Sequence, residues 1–159
     1  MYNHAPADYV CPFCLIAAGQ GTTHTNEDDI VYRGTSVTAF VAAAWWPKNA
    51  GHVIIIPNQH FENIYDLPLA FASEIHRVAR DIALAFKATY GCDGVSTRQH
   101  NEPAGNQDVW HYHLHVFPRY TDDELYLQLY QRRFTAAAER LPYATKLRAF
   151  LGGRSDGTT

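Results

Sequence analysis

"WHYHLHVFPRY", residues 110–120, sets His111, His113 and His115 at every second position, with Tyr112, Leu114 and Val116 alternating with them. Along a strand successive side chains point to opposite faces, so the three imidazoles share one face and the three apolar side chains the other. The apolar face is for packing. The histidine face is for chemistry, because each polar group buried without a partner costs about 1–3 kcal/mol. Two uses suit such a row: ligation of a metal ion, or a nucleophile with supporting donors around a phosphoryl group.

Working outward, "VWHYHLHVFP" (109–118) reads as the fifth of five strands and "GVSTRQH" (94–100) as the fourth, joined by the Gly/Pro/Asn-containing loop "NEPAGNQD" (101–108). "DIVYRGTSVTAFVA" (29–42) reads as two strands joined at Gly34-Thr35-Ser36. "GHVIIIPNQH" (51–60) is a third, too short and isoleucine-rich for a helix and ended by Pro57. Between Asp66 and Tyr90 the period changes. Asp66 is a candidate cap, Pro68 suits a first turn, and Leu69, Ile75, Val78, Ile82 and Phe86 recur at helical spacing until Gly91. After Thr121 the pattern is mixed, with a short helix expected around "YATKLRAFL" (143–151). The expectation is an α+β fold: a five-stranded antiparallel sheet, one long helix and a C-terminal helical segment. One domain spans 1–151, and 152–159 is a frayed polar tail.

A net charge of −3 with no basic block longer than Arg132-Arg133 argues against bulk nucleic-acid binding. No run approaches the roughly 20 apolar residues of a membrane span, and "MYNHAPADYV" lacks the build of a signal peptide, so the expected location is the cytoplasm. Of three cysteines, Cys92 reads as an ordinary buried thiol. Cys11 and Cys14, in "CPFC", have a spacing shared by zinc knuckles and redox pairs, and spacing alone does not choose between them.

With "HYHLHVF" the chain resembles the histidine triad (HIT) family of nucleotide hydrolases and transferases, whose signature alternates histidine with apolar residues in this way. The resemblance extends from "CPFC" through "GHVIIIPNQH" to "NEPAGNQDVWHYHLHVFPR". It implies a homodimer, a purine nucleotide or dinucleotide as substrate, and His113 as the nucleophile that attacks the α-phosphorus to form a nucleotidyl-histidine. His115 is then the group that stabilises charge on the phosphate or leaving group, and Asn101, Gly105, Gln107, Asp108 and His52 are the nucleotide- and phosphate-facing set. It further implies a structural zinc on Cys11, Cys14, His60 and His111; His4 and His24 are lower-ranked alternatives for the fourth ligand, and a divalent metal ion travelling with the nucleotide is a further candidate cofactor. His115 and Tyr112, where the uridylyltransferase branch has glutamine and proline, favour hydrolysis or phosphorolysis over sugar-nucleotide exchange.

Two positions depart from the family pattern. Its ribose-binding Asn or Asp falls on Ala44, followed by Trp45 and Trp46, one of which covers a base or else packs under the neighbouring loop. Its phosphate-donating Ser or Thr is Asp108, which would repel phosphate unless it points away, pairs with Arg98 or Arg119, or binds a metal ion. The leading expectation is a nucleotide hydrolase of the dinucleoside polyphosphate or nucleoside phosphoramidate class. The alternatives are a nucleotide-binding protein with vestigial catalysis and a metalloenzyme with all three histidines on one ion.

Overall fold

The computed structural model describes residues 2–153. Most of the expected tail, residues 154–159, lies outside that range. In chain order the elements are α1 (Pro12–Ala17), β1 (Ile30–Arg33), β2 (Val37–Val41), β3 (Ala44–Trp45), β4 (Val53–Pro57), α2 (Leu69–Thr89), β5 (Gly94–Gln99), β6 (Leu114–Arg119), β7 (Arg133–Phe134) and α3 (Ala137–Gly152). Five strands form an antiparallel sheet in the order β1-β2-β4-β6-β5, and β3 pairs with β7 in a small separate ribbon. The fold is α+β, as expected.

The hairpin turns at residues 34–36, where Gly34 N–H donates to the Val37 carbonyl. Strand β4 is buried along its whole length, which is why its isoleucines do not alternate with polar residues. On one face of the sheet, Ile75, Val78, Ile82 and Phe86 of α2 pack on Ala39, Val53, Ile55, Leu114 and Val116. Each such side chain contributes roughly 1.5–3 kcal/mol by leaving water.

Helix α2 starts later than the sequence suggests. Pro68 occupies the cap position and makes no side-chain cap, so Asp66 is not the capping residue. Helix α3 begins at Ala137, six residues before the expected start at Tyr143, and runs through Pro142. Its start is held by Glu139, whose carboxylate accepts from the Ala136 N–H at 2.9 Å. Arg140, 3% exposed, makes a two-pronged ion pair with the equally buried Asp29 (2.7 and 2.8 Å), joining α3 to the turn that enters β1.

The opposite sheet face carries the histidines. Register aligns Phe40 of β2 with Ile54 of β4, Ile54 with His115 of β6, and His115 with Arg98 of β5. These four residues form one row across the sheet, apolar at one end and cationic at the other. Helix α1 lies over the apolar end, where Phe13 and Ile16 join Phe40, Ile54 and Ile56.

Candidate functional site

Strand β6 begins at Leu114, so His111 and His113 lie just ahead of it rather than within a strand from 109. The backbone leaves the sheet there: Tyr112 N–H donates to the Phe61 carbonyl and His111 N–H to the Val109 carbonyl. The alternation nevertheless holds. Tyr112, Leu114 and Val116 enter the core beneath α2, while His113, His115 and Phe117 follow one another on the other face, with ring centroids 5.0 and 5.6 Å apart.

His113 is 2% exposed, and its Nδ1 lies 2.7 Å from the His111 carbonyl oxygen. A carbonyl only accepts, so Nδ1 carries the proton, and in the neutral ring Nε2 then holds the lone pair. Burial holds the imidazole below its usual pKa, against the opposing pull of that carbonyl and of Asp108. A buried, neutral imidazole with one fixed tautomer suits a nitrogen nucleophile. Phe13 covers the ring edge-on at 5.2 Å.

His115 is partly buried, with His113, His52 and Arg98 around it. Burial holds its pKa well below the ordinary value, helped by His113, His52 and Arg98. Its Nδ1 is 3.4 Å from His52 Nε2. His52 in turn stacks on Phe117, with centroids 4.5 Å apart and planes 14° apart, and burial with Arg98 and Arg132 nearby lowers its pKa to about 3. Its position depends on Gly51, whose φ of +75° and whose closeness to the Tyr143 ring, 2.4 Å from where a Cβ would sit, leave no room for a side chain. Trp46 stands edge-on to both His52 and Phe117. Of the two tryptophans, Trp46 therefore walls the site, whereas Trp45 packs in the core against Tyr143.

His111 points elsewhere. Its Nε2 donates to the Pro57 carbonyl at 3.0 Å, which turns Nδ1 toward Cys11 Sγ (3.3 Å) and Cys14 Sγ (3.6 Å); His60 Nδ1 lies 3.3 Å from Cys14 Sγ. The ligand atoms of Cys11, Cys14, His60 and His111 all lie within 4.8 Å of one another. That is the spacing of four ligands about 2.0–2.3 Å from a central ion. Burial and the adjacent Cys11 push the Cys14 thiol up to about 12. Two thiolates share this place only with a cation between them, and the donor set therefore fits zinc. No other group of three or more such side chains is gathered for a metal among the described residues, and His4 and His24 stand outside this one. His4 contacts Glu102, and His24 stacks on Phe134 at 4.2 Å.

The loop 101–108 is tied to its surroundings. Asn101 accepts from Ile64 N–H and exchanges amide bonds with Gln99. Gln107 donates to the Glu62 and Val109 carbonyls and accepts from Glu102 N–H. The Gly105 carbonyl receives His100 Nδ1. Glu102 and Asn106 hold positive φ (62° and 66°), a strain that such ties maintain. Of the phosphate-facing set, Asp108 and His52 line the pocket beside His113, whereas Asn101, Gly105 and Gln107 do not. Asp108 pairs with Arg132 at 3.1 Å, not with Arg98 or Arg119, and comes to 4.0 Å from His113 Nε2. Arg119 is engaged by Asp123.

The pocket above these residues has a volume of about 210 Å³. Phe40 and Ile54 of the sheet and Phe13 of α1 give it apolar lining, His113 and His115 line it as well, and Ala44 offers it no polar group. Sequence reasoning did not find Arg132, Phe13 or Phe134. Arg132 was visible only as half of a basic doublet, and nothing local ties any of the three to the histidines.

Comparisons with known proteins agree with this geometry. A family model described as the HIT domain matches residues 23–122. Protein hit of Bacillus subtilis is 33% identical over 110 residues, 69% of this chain and 71% of the relative. The crystal structure of a zinc-bound histidine triad family protein from Mycobacterium smegmatis has a TM-score of 0.75 at 25% identity, covering 93% of this chain and 97% of that one. Diadenosine triphosphate hydrolase of Plasmodium falciparum shares the fold, with a TM-score of 0.70 at 14% identity over 97% of this chain and 90% of that one.

Proposed function

The chain belongs to the HIT domain family, and from that premise we propose that it is a nucleotide hydrolase cleaving at the α-phosphate through a nucleotidyl-histidine at His113. The observation that carries this reading is the 2.7 Å contact of His113 Nδ1 with the His111 carbonyl, which fixes the proton on Nδ1, so that in the neutral ring that burial favours the lone pair is on Nε2, in a residue lining the apolar pocket. The substrate is a purine nucleotide or dinucleotide, its base and sugar against Phe13, Phe40 and Ile54. His113 Nε2 forms a bond to the α-phosphorus, the bond to the leaving group breaks, and the electron pair departs with that group, which leaves as an anion when it is a phosphate chain and takes up a proton from solvent when it is an amine. His115 stabilises the developing charge. Water then adds to phosphorus, releases Nε2 and loses a proton to the solvent with the nucleoside monophosphate.

Asp108 does not bring an uncompensated charge to the phosphate, because Arg132 accompanies it. Four ligands, Cys11, Cys14, His60 and His111, are proposed to hold one structural zinc, which would tie α1 to the end of β4 and to the segment bearing His113. The assembly is proposed to be a homodimer and the location cytoplasmic; no helix among the described residues is long and apolar enough to cross a membrane.

The test is release of AMP from diadenosine tetraphosphate and from adenosine 5′-phosphoramidate. His113→Ala is expected to lower turnover of whichever is cleaved by roughly a thousandfold or more while the protein keeps its melting transition. Acid-labile labelled nucleotide trapped on the parent and absent from His113→Ala supports the intermediate. A variant within tenfold of the parent overturns it. The pocket's Ala44 also favours a second reading, nucleotide binding without turnover, which predicts saturable AMP binding and no cleavage of either compound.

A further inference from the structure

Arg98 occupies an unusual position. It faces His115 directly across the β5–β6 ladder, on the histidine face of the sheet. Its guanidinium lies over Trp46 at 5.0 Å and over Phe117 at 4.8 Å, and its Nε is buried without a hydrogen-bond partner. The two neighbouring arginines have their charge met: Arg119 by Asp123 and Arg132 by Asp108. Arg98 has no carboxylate within ion-pair distance among the described residues, although it is half-buried. Half-burying an unpaired guanidinium is costly, and two aromatic faces offset only part of that cost. A fixed, unpaired cation beside a histidine that stabilises phosphate is poised to take up negative charge from a ligand.

The row across the sheet says which part of a ligand that is. Phe40 and Ile54, on one side of His115, floor the pocket; Arg98 stands on the other side and is not part of that floor. A nucleotide with its base and sugar on the apolar side and its α-phosphorus at His113 would carry its leaving group past His115 toward β5. We propose that Arg98 receives that leaving group and selects nucleotides whose leaving group is itself an anionic phosphate chain over those with a neutral amine. The inference rests on the proposed reaction and names the substrate class within it. Arg98 transfers no proton: the electron pair of the broken bond stays on the leaving oxygen, and the guanidinium stabilises the charge already on the chain.

Arg98→Met keeps an unbranched stem over Trp46 and Phe117 and removes the charge, and Arg98→Lys returns it. The readout is the ratio of kcat/KM for diadenosine tetraphosphate to that for adenosine 5′-phosphoramidate, in proteins whose melting transitions match. Loss of one charge-assisted contact is expected to lower this ratio by roughly ten- to a hundredfold in Arg98→Met, with partial recovery in Arg98→Lys. Calorimetric titration with inorganic tripolyphosphate, which needs no turnover, is expected to show binding weakened tenfold or more in Arg98→Met. A ratio unchanged within about threefold, or tripolyphosphate that binds parent and Arg98→Met alike or not at all, overturns the proposal. If the parent cleaves neither nucleotide, the reaction is misread, and the tripolyphosphate titration still decides for or against Arg98.

Discussion

At the scale of single residues the site is a set of imidazoles whose protonation is decided by what surrounds each ring. His113 has its tautomer set by a backbone carbonyl, and His111 by another, so neighbouring side chains of one short stretch face different chemistries. Their sharing of a face was legible in the alternation of residues 111–116. The separation of their roles came only with the family resemblance and not from the alternation, because it depends on the carbonyl of Pro57, far away in the chain. His52 gives a measurable consequence. Its pKa lies at about 3 in the fold, lowered by burial with Arg98 and Arg132 nearby, against about 6.5 in an unfolded chain. Between those values the unfolded chain binds a proton that the fold does not, so this contribution is fully present above about pH 6.5 and lost progressively as pH falls toward 3. His52→Phe retains an aromatic ring on Phe117 and removes the titration. Urea unfolding at about pH 7 and about pH 5 is expected to show a loss of stability that is smaller in this variant by about 2 kcal/mol. Equal losses in the two proteins would rule the account out.

At the scale of elements, those legible in the sequence are the ones whose pattern is local. The hairpin at residues 34–36, the isoleucine strand and the helix of residues 69–89 have turn residues or a period of their own. Helix α1 is only six residues long and was missed because "CPFC" reads first as a ligand motif. The early start of α3 was hidden by Pro142, which ordinarily ends a helix but is accommodated here within sixteen residues anchored by Arg140 and Leu147. The pairing of β3 with β7 joins Ala44 to Phe134, ninety residues apart, and no local signal could announce it. Helix α1 also provides the test of the metal site. One zinc ion per chain is expected by elemental analysis, falling below about a tenth in the Cys11→Ser, Cys14→Ser double variant. Chelation should lower the melting temperature and expose amides of residues 9–17 and 110–113 to hydrogen exchange before those of α2. Stoichiometric zinc in the double variant, or a disulfide between the two cysteines in the parent, is the contrary result.

At the scale of the whole molecule, the pocket is closed by parts of the chain that meet only through tertiary structure. Arg140 joins them. Besides its pair with Asp29 it donates to the Thr135 carbonyl at 2.5 Å and to the His24 carbonyl at 2.8 Å, tethering to α3 the backbone of His24 and that of the residue after Phe134, the ring on which His24 stacks. Removing one partner of a buried pair strands the other charge, so Arg140→Met is expected to lose about 3–5 kcal/mol of unfolding free energy in urea titration. Adding Asp29→Leu should recover much of that loss, because no lone carboxylate then remains buried. A single variant within about 1 kcal/mol of the parent would mean that the pair is not sealed from water as its exposure indicates.

The edge position of β5 carries one more consequence. Every residue of β4 is buried, whereas every residue of β5 is at least partly open to solvent. Side chains along β4 are locked to their neighbours, and a change there unsettles the core. Those along β5 are less enclosed, so Arg98→Met is expected to leave the scaffold intact. The sheet is therefore unevenly tolerant: a substitution on β4 is expected to cost the fold more than one on β5.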